Sequence, residues 1–540
     1  MISTIAFIYL CTHKIKVKGL RMIKRLLQFK TKHPFLFIMS IGFVLRLISV
    51  LFSKGFGMHD DHFLVIEQAQ SWVDGGDYLK WLPGTPGNTG PEGHSFFYVS
   101  LQYIFLHMLQ FFGIFDPQLK MYFVRLLHAS ISLFIISFGY RIASLITARE
   151  TAYKVALLLS VFWFMPFLSV RNMVEMASIP FLMYGSLIIL RQELIRRDNE
   201  PGYHQTSFLV AGFFLGLAFS VRYQTLAFTG GIGLALLIMR NWRGTISAII
   251  GFLGSVILIQ GFIDFLVWGR PFAEFTEYVN YNLNHAYDYY TAPFYNYFLV
   301  IGAMLIPPVS LMLIFGYIRN WKKNLILFLP VLLFLIFHSI FPNKQERFIL
   351  PVIPLFIVLG MAGWEEFVNG SHFWKKRKKI YQASWAFFWL INIILLFLFT
   401  PMYSKKARVE SMSYLKKYEN INYFLIEDIN SNVLRFPPVY YTGQWPTYDA
   451  VFKNMSYRDF ATFKDWSVKD NQPSFILFYQ EKNLEARIDS IQQIFTHITY
   501  ETTVKPGLMD RLIHRINPIN ANETIYIYRN KAIIPEKITK

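Results

Sequence analysis

Apolar residues in this chain run in long blocks rather than alternating with polar ones. Twelve such blocks occupy 35–53, 96–115, 121–146, 155–170, 176–190, 207–221, 226–239, 245–267, 297–317, 325–340, 348–366 and 381–400. A helix needs roughly 20 mostly apolar residues to cross about 30 Å of hydrocarbon, and the blocks come close to that length. Basic clusters at Arg149/Lys154, Arg191/Arg196/Arg197, Arg240/Arg243, Arg319/Lys322/Lys323 and Lys375 to Lys379 follow every second block. Short loops rich in Lys and Arg stay in the cytosol, so these clusters share that side. The loops 171–175, 222–225, 268–296 and 341–347 then lie on the far side, together with a first loop at 54–95. Crossing at both 96–115 and 121–146 would put Arg149 and Lys154 on the wrong side. A re-entrant or interfacial segment in 96–146, or one misplaced boundary there, would repair the parity, and the sequence does not choose between them; eleven true spans are expected rather than twelve.

After Thr400 the polarity becomes ordinary. Strand-like runs at Tyr423 to Ile426, Ser474 to Tyr479 and Thr524 to Tyr528 flank a helical stretch around Leu484 to Phe495, which predicts a small α/β domain. The expected architecture is a polytopic all-α membrane protein of about 11–12 transmembrane segments carrying a small C-terminal α/β soluble domain. It divides into a basic cytosolic N-terminus at 1–34, a membrane domain at 35–400 and an extracytoplasmic domain at 401–540.

Composition supports this division: 54% of residues are hydrophobic, 18% aromatic and only 16% charged, against about 25% charged in soluble domains. The net charge of +19 would suggest nucleic acid in a soluble protein. Here the cations sit between apolar blocks, which points to the bilayer as partner and not to nucleic acid. The single cysteine, Cys11, leaves no intrachain disulfide and no Cys-based metal site. The apolar patch Ile2 to Cys11 precedes the basic run from Lys14, the reverse of a secretory signal. Sequons at Asn454 and Asn522 are short matches that decide nothing about compartment.

The far-side loops carry the chemistry. The first opens with His59, Asp60, Asp61 and His62 and continues to Glu67. Adjacent carboxylates beside hydrocarbon repel each other, so at least one gains proton affinity, as suits a general base. A solvated helix cap, or a metal site sharing His59 and His62, are the competing readings; no cofactor is expected and a divalent metal is not favoured. The loop after the tenth block carries Lys344 and Arg347 with His338 and Glu346 nearby. Two cations on the far side break the charge rule and suit a phosphate or diphosphate, unless they merely snorkel. Arg171 with Glu175, and Arg222, bring further ions to the same side. Arg46 and Arg125 lie within or beside apolar blocks and either function there or pair inside the bundle.

At these residues the chain resembles the GT-C superfamily of polytopic glycosyltransferases, and within it the family 22 mannosyltransferases that use dolichol-phosphate mannose. That family's first loop, His-Pro-Asp-Glu-His-Phe and then a Glu, is similar to Met58 to Phe63 with Glu67. Its late signature, His-Ser-x-Phe-Pro-His-Lys-Glu-x-Arg-Phe and then Pro, is similar to His338 to Phe348 with Pro351. Weaker echoes are Arg171-Asn172 with Glu175, Arg222-Tyr223, and the stretch Asp264 to Tyr297. Asp61, Asn343 and Gln345 depart from the pattern, which has Glu, His and Glu there.

The resemblance implies transfer of a hexose, mannose favoured, from a polyprenyl or dolichyl phosphate sugar to a glycan or glycolipid acceptor, with inversion. It makes Asp60 the expected base, with Asp61 and Glu67 orienting. Lys344 and Arg347, helped by Arg222, would hold the departing phosphate, and His59, His62 and His338 would contact acceptor or phosphate. A transferase for another sugar, and a flippase or transporter of lipid-linked glycans, are the alternatives. A bacterial inner membrane with a periplasmic site is the favoured location, with the lumen of the endoplasmic reticulum as the other.

Overall fold

The computed structural model describes residues 28–453, 455–517 and 523–535. Cys11, most of the basic N-terminus and both sequon asparagines, Asn454 and Asn522, lie outside the described residues. Six helices among the described residues are long and apolar enough to cross a membrane: Pro34–Phe52, Pro117–Ile146, Val174–Arg197, Trp242–Trp268, Glu346–Gly370 and Lys378–Phe399. Shorter apolar helices, Thr206–Val221, Tyr223–Ile238, Val309–Arg319 and Leu325–Ile340, pack among them. Lipid tails give no hydrophobic drive between helices, so small residues that let backbones approach matter most. Gly212 lies against Ala248 and Gly216 against Ser255, joining Thr206–Val221 to Trp242–Val256. Gly316 meets Gly360 and Gly363 in the same manner. Glu346–Gly370 runs through the centre of the bundle, wholly buried across its apolar window.

The helix Phe96–Phe111 occupies the stretch at which charge and counting conflict. Its inner residues Phe96, Val99, Leu106 and Leu109 share a core with the C-terminal sheet region and with bundle-helix residues Met121, Val124 and Val221. Its outer residues Leu101, Ile104, Met108 and Phe111 form an exposed apolar stripe. Such a two-sided helix has the pattern of an interfacial segment. With it removed from the spans, the chain passes through the bundle eleven times among the described residues, from Pro34–Phe52 to Lys378–Phe399. One pass is assembled from Arg149–Val161 and Met165–Ser169, and another from Asn296–Met304 and Val309–Arg319.

The C-terminal region forms a five-stranded sheet in the order β2-β1-β3-β5-β4. Strands β1 (Tyr423–Asp428), β2 (Thr447–Phe452) and β3 (Phe475–Tyr479) are parallel, whereas β5 (Ile525–Asn530) runs antiparallel to both its neighbours, β3 and β4 (Ile498–Val504). Strands β1 and β3 are buried on both faces, as expected for central strands of a parallel sheet. The segment entering this region is stitched to the end of the first span: Ser49 Oγ donates to Thr400 O, Ser53 Oγ to Met402 O, and Ser404 N to Lys54 O. Gly55 makes the close approach possible, since it has φ +78° and a Cβ there would sit 1.9 Å from the Ser404 carbonyl oxygen.

Candidate functional site

Four stretches distant in sequence converge where helices end beside the sheet region. Asp60 and Asp61 begin a π-helical segment, Asp61–Glu67. Glu175 lies in the first turn of Val174–Arg197, and Arg222 caps the C-terminus of Thr206–Val221. Arg347 lies in the 3₁₀ turn Glu346–Val352 that leads into the central helix. Asn172 fixes the first stretch by donating from Nδ2 to the Asp61 carbonyl at 2.7 Å. Tyr98 in turn donates to Asn172 Oδ1 at 2.8 Å and meets His128 at 2.8 Å.

Arg347 is the hub. Its Nη2 donates to Asp60 Oδ2 at 2.5 Å, its Nη1 lies 3.6 Å from Asp61 Oδ2, and its Nε lies 3.5 Å from Glu175 Oε1 while donating to Gln345 at 2.8 Å. Glu175 also accepts from Arg222 Nη1 at 2.7 Å. Three carboxyl groups thus share two guanidinium groups, so ionising all three would leave an excess negative charge. The two aspartates are not equivalent. Burial alone would raise Asp60, but the charge and hydrogen bond of Arg347 outweigh it and hold the carboxyl below its ordinary value. Burial, reinforced by Glu175, drives Asp61 well above the carboxylate range despite Arg347. The Asp60 side chain is 48% exposed and that of Asp61 only 5%. Asp60 is therefore the ionised, accessible acid, and Asp61 a buried acid that keeps its proton at neutral pH.

The remaining predicted site residues divide between the rim and the frame. His59 is exposed, with its ring 4.5 Å from Phe63 and 5.0 Å from Phe436 of the sheet region. His62 points elsewhere: it is buried and stacked between Phe56, at 4.7 Å, and Tyr441, at 5.3 Å. Burial lowers its pKa to about 3, so it is neutral. The two histidines do not share a face, and among the described residues no three His, Cys, Asp or Glu side chains gather as metal ligands. Glu67 does not face Asp60; its Oε1 accepts the Tyr440 N–H at 3.0 Å, tying the π-helical segment to the sheet region. Arg171 spends its guanidinium on the Lys54, Gly55 and Met402 carbonyls and on Ser53 Oγ. Lys344 Nζ closes the end of Leu325–Ile340 by donating to the carbonyls of His338, Ser339 and Phe341. His338 approaches Gln224 at 3.3 Å, and Gln224 also accepts from Arg222. Glu346 is exposed at the turn.

Several contributors were not among the site residues expected from sequence. Gln224 and Gln345 hold the two arginines from the side, and His94 lies near enough to Asp60 for their charges to interact. Loop 90–95 is secured by Glu274, which accepts the N–H groups of Gly93 and His94 at 2.8 and 3.1 Å. These contacts join loops 180 and more residues apart, which periodicity cannot reveal. Arg46, one of the two intramembrane arginines singled out from sequence, is satisfied inside the bundle by Ser132 Oγ and the carbonyls of Gly42, Leu159 and Ser160. Arg125 donates to Val50 O at 3.0 Å and stacks on Tyr122 at 4.5 Å.

The fold is similar to that of ArnT from Cupriavidus metallidurans. Its structure bound to undecaprenyl phosphate superposes with a TM-score of 0.58 at 12% identity, covering 91% of this chain and 97% of that one. The apo structure of the same protein gives 0.59 at 12% identity, covering 92% and 98%. No curated protein sequence matches the chain. The sequence profile of the Alg9-like mannosyltransferase family matches residues 35–448, from the first span to within β2. The chain therefore belongs to the Alg9-like mannosyltransferase family and is a multi-pass membrane glycosyltransferase of GT-C fold.

Proposed function

We propose that this enzyme transfers a hexose, mannose in the first instance, from a polyprenyl or dolichyl phosphate sugar to a glycan or glycolipid acceptor, by single displacement with inversion. One observation carries the proposal: a half-exposed, ionised Asp60 shares the guanidinium of Arg347 at the outer ends of the helices. The acceptor hydroxyl oxygen bonds to the anomeric carbon as the bond from that carbon to the phosphate oxygen breaks. The hydroxyl proton passes to Asp60, and the lipid phosphate leaves with the electron pair. Arg347 and Arg222 face the growing phosphate charge, an oxyanion-type stabilisation of a few kcal/mol. Lipid phosphate entering the site competes with Asp60 for Arg347, which raises the basicity of Asp60 when the donor is in place. Lys344 supports this from behind by fixing the loop that carries Arg347, and the scheme uses no metal.

The site opens on the side away from the basic clusters, which favours the periplasmic face of a bacterial inner membrane, or the lumen in the endoplasmic reticulum. Asp61, Asn343 and Gln345, standing where the family pattern has other residues, favour a sugar other than mannose as the second reading. Transfer from purified radiolabelled prenyl-phosphate sugars to a membrane glycolipid extract tests both readings. Label should appear in a glycolipid with wild type and vanish with Asp60→Asn. A protein that moved label across the bilayer without transferring it would be a flippase, and the proposal would fail.

A further inference from the structure

The sheet region carries two helices of 9 residues each, Leu484–Gln492 and Leu508–Ile516, and they expose opposite chemistries. Leu484–Gln492 turns Glu485, Ala486, Asp489 and Gln492 outward, as suits a helix facing water. Leu508–Ile516 buries Met509 and Asp510 and turns Leu508, Leu512 and Ile516 outward, exposed by 71, 41 and 78%. With about 100° between successive residues, positions i, i+4 and i+8 form one stripe about 80° wide. Arg511 and Arg515, both exposed, run along its edge. A single surface leucine needs no explanation, but a row of aliphatic side chains edged by cations marks an interaction surface.

The place of this helix names its partner. Asp510 Oδ1 and Oδ2 accept the N–H groups of Lys405 and Lys406, each at 3.2 Å. Those two residues lie just past the last span, Lys378–Phe399. Ser404 before them donates its N–H to Lys54 O, just past the first span, Pro34–Phe52. Gly507 packs on the same segment, where a Cβ would lie 3.3 Å from the Tyr403 carbonyl oxygen. The helix therefore starts at the level where two spans leave the hydrocarbon, and its length keeps every residue within about 14 Å of that level. At its other end His514 Nε2 lies 3.3 Å from Glu523 Oε1, which ties it back to the sheet region. The nearest apolar surface for a stripe held there is the leaflet itself, and the flanking arginines complement headgroup phosphates.

We infer that Leu508–Ile516 docks the sheet region on the membrane, with Leu508, Leu512 and Ile516 among the acyl chains nearest the headgroups and Arg511 and Arg515 on the phosphates of anionic phospholipid. The occupant is the leaflet in which the first and last spans end. This contact gives a second footing, besides the chain's own exit at Thr400, to the region whose Phe436 meets His59 at the rim of the acid and arginine site.

Spin labels on the full-length protein in nanodiscs test this without any transfer assay. In a Cys11→Ser background, single labels are placed through Leu508→Cys, Leu512→Cys and Ile516→Cys, with Asp489→Cys on the other helix as the reference. Oxygen concentrates in lipid and a charged or polar nickel chelate in water, so the ratio of the two accessibilities should be several-fold higher at the three stripe positions than at Asp489→Cys. A ratio like that of Asp489→Cys at all three overturns the proposal, and so do labels shielded from both probes, the sign of a covering protein. A second comparison sets phosphatidylcholine nanodiscs against phosphatidylcholine mixed with phosphatidylglycerol. The ratio at Leu512→Cys should rise with phosphatidylglycerol, and adding Arg511→Gln and Arg515→Gln should abolish the rise. No rise, or a rise that survives both substitutions, overturns the assignment of anionic phospholipid.

Discussion

Two buried arginine and carboxylate networks occur in this protein, and they are built differently. In the sheet region, at the end of β1, Arg487 binds Glu427 with Nε at 2.7 Å and uses its other nitrogens on the carbonyls of Glu427, Tyr479, Gln480 and Lys482. Asp428 beside it takes Arg435 through both oxygens, at 2.6 and 3.0 Å. In that network the carboxylates are closed to solvent and fully bonded. In the other network Arg347 reaches three acids, two of them at 3.5 Å or more. Asp61 Oδ2, Glu175 Oε2 and Arg222 Nε have no hydrogen-bond partner there, and Asp60 is half open. The same residue types give a saturated frame in one place and unspent bonding capacity in the other. Unspent capacity beside an opening is what a reacting substrate needs, whereas a saturated network supplies only cohesion.

Substitutions can break this contrast. The largest effect is expected from Asp60→Asn, which keeps shape but cannot accept a proton. Its turnover should fall about 10² to 10⁴-fold with little change in thermal midpoint, measured by transfer assay and by melting in detergent. Next come the two arginines. Arg487→Met leaves Glu427 buried without its partner, and Arg347→Met strands the acids around it, each at a cost of about 3–5 kcal/mol. Activity per folded molecule separates them: it should survive Arg487→Met and collapse with Arg347→Met. If both retained it, the functional contrast between the networks would be gone.

Smaller effects sharpen the boundary between site and frame. Gly55→Ala forces a Cβ toward the Ser404 carbonyl at a positive φ, and should destabilise by about 1–3 kcal/mol, read as a lowered melting temperature. Glu67→Gln should be the mildest. Burial raises Glu67 to about 8 despite its backbone hydrogen bonds, above its ordinary 4.5. Its favourable contribution is therefore complete below pH 4.5 and is lost as pH rises through about 8. The wild type should lose melting temperature over that window, and Glu67→Gln, which cannot ionise, should lose less.

Much of this was legible in the sequence. The long apolar blocks announced the helical bundle, and the parity conflict at 96–146 drew attention to Phe96–Phe111, whose inner face packs partly on the sheet region. The far-side ions were legible because charges beside hydrocarbon are rare enough to stand out, and Asp60 and Arg347 do meet. What each ion does was not. Lys344 and Arg171 look like phosphate ligands from their positions, yet helix-end and loop carbonyls claim them, and such carbonyls leave no mark on residue identity. Glu67 has the spacing of an orienting acid, but the sheet region, far along the chain, captures it. Strands β2 and β4 were missed because they are sheet edges, half exposed, with polar residues such as Asp449 and Glu501 among few apolar ones. Strands β1 and β3, buried on both faces, announced themselves as continuous apolar runs.

The central claim is that Arg347 is shared between Asp60 and the phosphate of a lipid-linked donor. Binding of decaprenyl phosphate to wild type, Arg347→Met and Asp60→Asn, measured by titration in detergent at pH 7, tests it most directly. Arg347→Met should lose binding, while Asp60→Asn, relieved of the competing carboxylate, should bind at least as tightly as wild type although it transfers nothing. Wild-type affinity in Arg347→Met, or lost affinity in Asp60→Asn, would contradict the account.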